Sequence, residues 1–381
     1  MYDVIIIGCG VAGTTAGYFL AQSGIKVLMI EKEKIPRYKT CGGGVISRVI
    51  KNLPFGLDNA IEREIYRADI FDQVNGLHFE IERENPIINM TMREKLDQLI
   101  LGKAIVNGAE LQQGAIVTDI IENKDYVEVF ANGTTITSKF VIGSDGAMGI
   151  TAKKVGASHS YKKVPAIESE VYVNDDTFNK FSSTARFDFG IIPHGYGWVF
   201  PKRNHLSIGV STMKDSGRNL NNLMKNYLDY LNLSNLVAEE RHGFVIPFGN
   251  KNRRFAFGRL LLVGDAAGLA DPVTAEGISY AIESGRYAAD SILNDNNNVG
   301  RINKNYETSI KKILKELKCA GILAYFIYGS PFLRSFVFKR YGRDLSNLMT
   351  DVITGKVKYS ELLSTPINYL KLLRPNFLRR I

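Results

Sequence analysis

The chain has 381 residues, 45% of them hydrophobic and 23% charged, an ordinary balance for a soluble globular protein of two domains and an appendage. Its net charge of +9 suits an acidic partner, but no zinc-finger spacing or basic–aromatic RNA motif points to nucleic acid. Three scattered cysteines, Cys9, Cys41 and Cys319, are too few for a disulfide framework or a metal site and predict a reducing compartment.

Tyr2 to Ile7 is a continuous apolar run, read as a strand buried on both faces. Gly8-Cys9-Gly10-Val11-Ala12-Gly13 follows in G-x-G-x-x-G spacing. Next come a helix from Thr14 to Ser23 and a second buried strand, Ile25 to Ile30, ending on Glu31. The chain enters this unit at once, so no signal peptide is expected. The loop 32–44 carries Pro36, Tyr38, Cys41 and three glycines, and Val45 to Leu53 reads as helical. Arg63 to Glu82 reads as two alternating strands parted at Asn75-Gly76. Met92 to Val106 has helical spacing, with Leu96, Leu99, Ile100 and Ala104 on one face. Strands are expected over Glu110 to Gln113, Ala115 to Glu122 and Tyr126 to Phe130. The Asn132-Gly133 turn then leads into Thr134 to Ile142.

A second run of strands is predicted over Ala166 to Val173, Thr184 to Ile192, Gly197 to Pro201 and Leu206 to Ser211. A helix follows from Asn219 to Leu231. Leu260 to Val263 is another buried strand, ending at Gly264-Asp265, and Gly277 to about Leu293 is a helix. Asp295 to Asn298 is a linker, after which Tyr306 to Tyr328, Leu333 to Lys339 and Leu345 to Ile353 read as helical. The late apolar stretch from Cys319 to Tyr328 is too short to span a bilayer. The end, Leu370 to Ile381, mixes Leu and Phe with Lys371, Arg374, Arg379 and Arg380. A solvated amphipathic helix and a contact with an anionic membrane surface both fit it.

The first glycine segment carries a definite chemistry. Gly8 permits the tight turn, Gly10 lets a pyrophosphate approach the backbone, and Gly13 lets helix and strand pack closely. The following helix N-terminus offers unpaired N–H groups and a partial positive charge. Glu31 stands where a carboxylate accepts both ribose hydroxyls and disfavours a 2′-phosphate, so FAD or NAD is expected rather than NADP. Far downstream, Leu260 to Gly268 is again strand, acid and small residues. Asp265 alone would read as a turn or capping aspartate; one extended cofactor would join the two segments. Tyr196, Trp198 and Phe200 alternate and share a strand face, either as a sheet-core stripe or as the lining of an apolar substrate site. Cys41 suits flavin contact, assistance to protonation, or simple packing. Cys9 reads as a space-filler behind the turn. The five histidines show no metal spacing and no triad, and read as structural.

Gly264-Asp265-Ala266-Ala267 resembles the second FAD motif of the aromatic-hydroxylase-type flavoproteins. That resemblance implies FAD, with Asp265 at the ribitol and pyrophosphate, and the backbone of Gly277 and Ile278 at the flavin pyrimidine edge. It also implies Arg93 at the pyrophosphate, where the residue alone would read as a solvated helix-start arginine. The Val117 backbone would meet adenine. The implied cofactor set further takes in Ala12, Lys32, Cys41, Gly42, Gly44 and Gly264. Pro36-Arg37-Tyr38-Lys39-Thr40-Cys41-Gly42-Gly43 resembles the P-x-x-Y-x-x-C-G-G stretch of the geranylgeranyl reductase family, and Tyr196-Gly197-Trp198-Val199-Phe200-Pro201 its Y-x-W-x-F-P motif. The family's later glycine pair stands here as Gly209-Val210-Ser211, with serine in second place. About residues 1 to 300 share the resemblance.

The resemblance implies an FAD-dependent reductase acting on isolated double bonds of a polyprenyl chain, on a lipid, quinone or chlorophyll-like head. Tyr196, Trp198, Phe200 and Pro201 would bind the substrate, in a cavity poor in charge, and Cys41 would be the catalytic candidate. The expected fold class is α/β: a Rossmann-like FAD-binding domain with an inserted antiparallel-sheet substrate domain and a C-terminal helical region. Residues 1–60, 85–160 and 250–300 would form the first, 61–84 and 161–249 the second, and 301–381 the third. No second dinucleotide unit is legible, so electrons would come from transient NAD(P)H or a ferredoxin-like donor. The expected location is cytoplasmic, with a peripheral place on the membrane's cytoplasmic face as the variant. The rivals are a monooxygenase or halogenase of the same fold, and a non-enzymatic flavin-bearing isoprenoid-binding protein. The lysine in a W-x-W-x-I-P setting expected of a halogenase is not found.

Overall fold

A computed structural model describes the chain except at residues 51, 214–218, 234, 250, 252–253, 296 and 365–381. The stretch Leu370 to Ile381 therefore lies outside the described residues. The opening unit forms as its sequence predicts: β1 (Tyr2–Ile7), α1 (Val11–Gln22) and β2 (Val27–Glu31). The helix expected over Val45 to Leu53 forms only as a single turn. Gly44–Ile46 is a short strand, β3, with a single turn, α2 (Ser47–Ile50), behind it. Four strands follow: β4 (Ile61–Ile65), β5 (Arg67–Asp72), β6 (Leu77–Glu82) and β7 (Ile88–Thr91). The hairpin turn at Asn75-Gly76 joins β5 and β6, as expected, but β4 is a strand of its own and pairs with β7.

The next elements are α3 (Arg93–Val106), β8 (Glu110–Gln113), β9 (Val117–Glu122), β10 (Val127–Ala131) and β11 (Thr134–Gly143). After α4 (Ile150–Lys154) come β12 (Lys162–Tyr172), α5 (Asp175–Phe181), β13 (Thr184–Phe189), β14 (Gly195–Pro201) and β15 (Leu206–Thr212). Next stand α6 (Leu220–Tyr230), β16 (Ala238–Phe248), β17 (Ala256–Phe257) and β18 (Leu260–Leu262). The chain closes with α7 (Ile278–Asn294), α8 (Val299–Tyr328), α9 (Pro331–Ile353) and α10 (Tyr359–Ser364). The two helices expected over Leu333 to Lys339 and Leu345 to Ile353 are thus one. Ser330 caps its start by accepting from the Leu333 N–H, and Pro331 takes the first helical position, where no N–H is needed.

Three sheets result among the described residues. The first runs β17-β18-β11-β1-β2-β8, its members parallel from β18 to β8, with β10 and β9 continuing from β11. The second runs β16-β12-β15-β14-β13-β5-β6 and is antiparallel except where β5 meets β13. The third is β3-β7-β4. This is the expected α/β class, a nucleotide-binding sheet beside a second, mostly antiparallel sheet, with helices at the C-terminal end. Close approach fixes the helices against the first sheet. A Cβ on Gly13 would stand 2.2 Å from the Gly8 carbonyl oxygen, and one on Gly285 2.2 Å from that of Ala12. Glycine at both points lets α1 settle between β1 and α7.

Candidate FAD and substrate site

The nucleotide end of the site is built on the β1–α1 turn. Gly8 sits at φ 97, left-handed backbone that glycine adopts freely, and a Cβ there would collide with Ser144. Gly10 caps α1 without a side chain, so the helix's first N–H groups face outward. Glu31, at the end of β2, accepts from the Cys9 N–H at 2.9 Å and the Glu33 N–H at 3.2 Å. Burial pushes the Cys9 thiol up, which suits a packing residue.

Two guanidinium groups face this turn. Arg93 is buried and holds Asp97 through Nε at 2.9 Å and Nη2 at 3.1 Å. Burial opposes its charge, and Asp97 outweighs that, so its pKa rises. Arg37 reaches Asp97 at 3.1 Å and Glu31 at 3.4 Å. The Nη2 atoms of both arginines lie 4.0 Å from where a Gly10 Cβ would be. Arg37 escaped the sequence reading because nothing in the loop says which carboxylates it reaches.

The two glycine–acid segments meet in space. A Cβ on Gly264 would stand 3.0 Å from that of Ala12, and the Gly264 N–H donates to Ser284 Oγ at 2.9 Å. Asp265 pairs with Lys39 at 3.6 Å. One cavity of about 210 Å³ is lined by Gly10, Ala12, Asp265, Gly277 and Ile278. The N–H groups of Gly277 and Ile278, at the open end of α7, have no intrahelical acceptor. Cys41, Gly42, Gly44 and Arg93 also line it. Gly8, Gly13, Gly264 and Glu31 do not line it: Gly8 and Gly13 shape the β1–α1 turn, Gly264 packs against Ala12, and Glu31 holds the Cys9 N–H behind that turn. The remaining expected residues lie elsewhere. Lys32 is exposed and pairs with Glu33, and Val117 opens β9 outside the cavity. Pro201 closes β14, also outside the cavity.

Tyr196, Trp198 and Phe200 do share one face, and all three line the cavity. Trp198 lies 5.9 Å from Tyr196 and 6.4 Å from Phe200, centroid to centroid. The intervening Gly197 faces the other way, where a Cβ would fall 2.5 Å from the Tyr227 ring. A Cβ on Gly42 would stand 3.0 Å from Trp198 Nε1, so the glycine loop lies against the indole. That Nε1 is buried and has no acceptor among the described residues, an unpaired donor at the cavity wall. A second cavity of about 80 Å³ shares Ile88, Phe187, Tyr196, Thr274 and Ile353 with the first and continues between Ile70, Phe189, Phe338 and Met349. Helices α8 and α9 form its outer wall, a contribution that the Y-x-W-x-F-P stretch alone does not announce.

The cavity is not as poor in charge as expected. Glu168 on β12 lines it and accepts from the Cys41 N–H at 2.8 Å. Tyr38 Oη reaches Glu168 and Glu170, each at 3.3 Å. Burial, aided by the neighbouring Glu170, raises the Glu168 carboxyl to about 7. Lys202 is fully buried and donates to the Gly42 and Thr91 carbonyls at 2.7 and 2.8 Å, and burial lowers its pKa. Opposite, Arg48 reaches Tyr280 Oη at 3.1 Å, Ser279 Oγ at 3.0 Å and Glu276 at 3.4 Å. Asp271 accepts from the Val273 and Thr274 N–H groups. These charges are paired or held by backbone, so the charged groups at the site are compensated rather than bare ions. Among the described residues, one ligand-type cluster lies elsewhere: Asp69, His78 and Glu80, where Arg67 stands 3.8 Å from both carboxylates.

The arrangement fits an extended dinucleotide: a glycine cradle faced by two guanidinium groups, an acid at each distant segment, and an open helix N-terminus. The FAD binding domain family matches residues 1–294. Geranylgeranyl diphosphate reductase of Arabidopsis thaliana chloroplasts is 30% identical over 362 residues, covering 88% of this chain and 76% of that one. Menaquinone reductase of Mycolicibacterium smegmatis is 28% identical over 309 residues, 76% of this chain and 75% of that one. A geranylgeranyl bacteriochlorophyll reductase-like structure from Thermoplasma acidophilum superposes with a TM-score of 0.74 at 22% identity, covering 98% and 95% of the two chains. Fold and site therefore define an FAD-binding flavoprotein, and FAD is its cofactor. Within that class the chain belongs to the geranylgeranyl reductase family of FAD-dependent oxidoreductases.

Proposed function

We propose that this chain saturates isolated double bonds of a polyprenyl, geranylgeranyl-type chain carried on a lipid, quinone or chlorophyll-like head. One observation carries the reading. The aromatic wall of Tyr196, Trp198 and Phe200 borders the FAD site at the Gly42–Gly44 loop and runs on into a second, aliphatic and aromatic cavity. A long flexible hydrocarbon fits such a chamber; a compact polar substrate does not use its far end. The named reductases among the relatives support the same class of substrate.

Reduced FAD, when bound, supplies a hydride. Gly10, Arg37, Arg93, Asp265 and the first turn of α7 would hold it. An unactivated alkene has no carbonyl to polarise, so the chain's residues act by orientation and by exclusion of water. Trp198 and Phe200 position the alkene against the Cys41-Gly42 loop. The second alkene carbon needs a proton. Glu168 holds one at its carboxyl up to about pH 7, hydrogen-bonded to the Cys41 backbone. Cys41 and Glu168 line the same cavity, so this proton is the one at hand for the alkene beside the Cys41-Gly42 loop. Electrons for the cofactor would come from transiently docking NAD(P)H or a ferredoxin-like carrier.

Mass spectrometry of lipid and quinone pools, with and without the gene product, tests the reading. Prenyl chains gaining a pair of hydrogens per bond are expected. Hydroxylated or halogenated products, made with consumption of oxygen, would instead place the chain among the monooxygenases or halogenases.

A further inference from the structure

The two long C-terminal helices carry a feature that the reaction does not use. α8 and α9 meet at an angle of 99°, and no single described helix is long and apolar enough to cross a membrane. At the elbow large apolar side chains face solvent: Tyr325 is 70% exposed, Phe332 83% and Phe336 53%, beside Ile322 and Phe326. Soluble surfaces scatter such residues singly, whereas here they crowd one tip.

The polar residues flanking the tip are ordered. Along α8, Lys311, Lys315 and Lys318 precede Ile322 and Tyr325 at three- and four-residue steps, so they form one exposed stripe. Along α9, Phe332 and Phe336 run in the same way into Lys339, Arg340 and Arg343. Each arm is aromatic at the elbow and basic above it. The acid within the first arm, Glu316, is turned onto the Ser360 N–H at 3.2 Å. The opposite faces of both arms line the second cavity through Ile327, Tyr328, Phe338 and Met349.

We infer that the α8–α9 elbow is a membrane-docking wedge, which buries Tyr325, Phe326, Phe332 and Phe336 in the surface of an anionic bilayer. The basic arms then lie at headgroup level. Charge complementarity selects this occupant: aromatic tips rimmed by lysine and arginine match an apolar interior under anionic phosphates. A second copy of the chain would set these basic arms against each other. Docking itself does not depend on the proposed reaction. Only the corollary, that the wedge sets the inner cavity's wall against the lipid from which a prenyl chain is drawn, rests on that reading.

The test uses the full-length FAD-bound protein, sedimented with vesicles of phosphatidylcholine alone or with added phosphatidylglycerol. Binding to the anionic vesicles is expected, and binding to the neutral ones at least about tenfold weaker. Phe332→Ser/Phe336→Ser should lower partitioning by roughly tenfold or more, with flavin content and visible spectrum unchanged as the folding control. Phe332→Trp adds a reporter beside the buried Trp198, and brominated lipid should quench its emission. The inference is overturned by wild-type binding of the double variant, by equal binding to neutral vesicles, or by an unquenched Trp at 332. It is overturned equally if no vesicle binds and the double variant instead splits a dimer in sedimentation. None of these readouts requires turnover, so failure here leaves the proposed reaction standing, and an inactive enzyme leaves this inference standing.

Discussion

Trp198 lies over Gly209 so closely that a Cβ on Gly209 would stand 1.9 Å from the indole Cζ2. The aromatic wall of the cavity is thus set by the strand beside it, across the β14–β15 pairing of Trp198 with Gly209. The serine two residues on, Ser211, pairs with Tyr196, and its buried Oγ has no partner among the described residues. Gly209→Ala must push the indole off its seat. Overpacking of this kind costs about 1–3 kcal/mol, and chemical denaturation measures it. Turnover of a prenyl substrate should fall with it. Gly243→Ala, where a Cβ meets nothing nearer than 3.8 Å, is the control and should leave both unchanged.

Arg37 and Arg93 flank the Gly10 turn and share Asp97. If they hold the cofactor's phosphates as proposed, replacing either by Met should weaken FAD binding about tenfold or more. Flavin fluorescence during titration of the apoprotein reads this. The double variant leaves Asp97 and Glu31 buried without a cation, and loss of such partners costs about 3–5 kcal/mol. It should melt well below either single variant.

Glu168 predicts a pH dependence. Ionising its carboxyl costs the folded chain more than the unfolded one, because burial and Glu170 oppose the charge. Its contribution to stability is therefore complete below the ordinary value of 4.5 and is lost as the pH rises through about 7. The loss is about 3 kcal/mol at the outside. Denaturant titrations across that range should show the slope in the wild type and a flatter profile in Glu168→Gln. The same substitution should slow product formation while FAD binding stays intact.

Chain length should respond to the second cavity. Ala68 on β5 lines it, and Ala68→Leu fills much of its space. Reduction of a geranylgeranyl chain should drop severalfold, with reduction of a geranyl chain little changed. Parallel progress curves on the two substrates compare them. An equal loss on both would mean that the hydrocarbon does not reach between Phe189 and Phe338.

What the sequence showed depended on how local each signal was. The β1–α1–β2 unit was legible because strands buried on both faces leave unbroken apolar runs around a glycine spacing. The face shared by Tyr196, Trp198 and Phe200 followed from strand alternation alone. Val45 to Leu53 misled because Val45 and Ile46 pair with β7, a four-residue strand too short to announce itself, which leaves the helix a single turn. β16 was missed for the opposite reason: it is an edge strand whose first half, with Glu239, Glu240 and Arg241, is mostly exposed. The polar groups behind the site were hidden by distance. Glu168 meets the Cys41 backbone across 127 positions, and Arg48 meets Ser279 across 231, and no local pattern marks either.

The most direct test of the central claim is anaerobic. The purified protein, with its FAD reduced, is mixed with a geranylgeranyl lipid, and flavin reoxidation and the lipid's mass are followed together. The account predicts one saturated double bond for each flavin reoxidised. Reoxidation without saturation, or a flavin that stays reduced in the presence of the lipid, would contradict it.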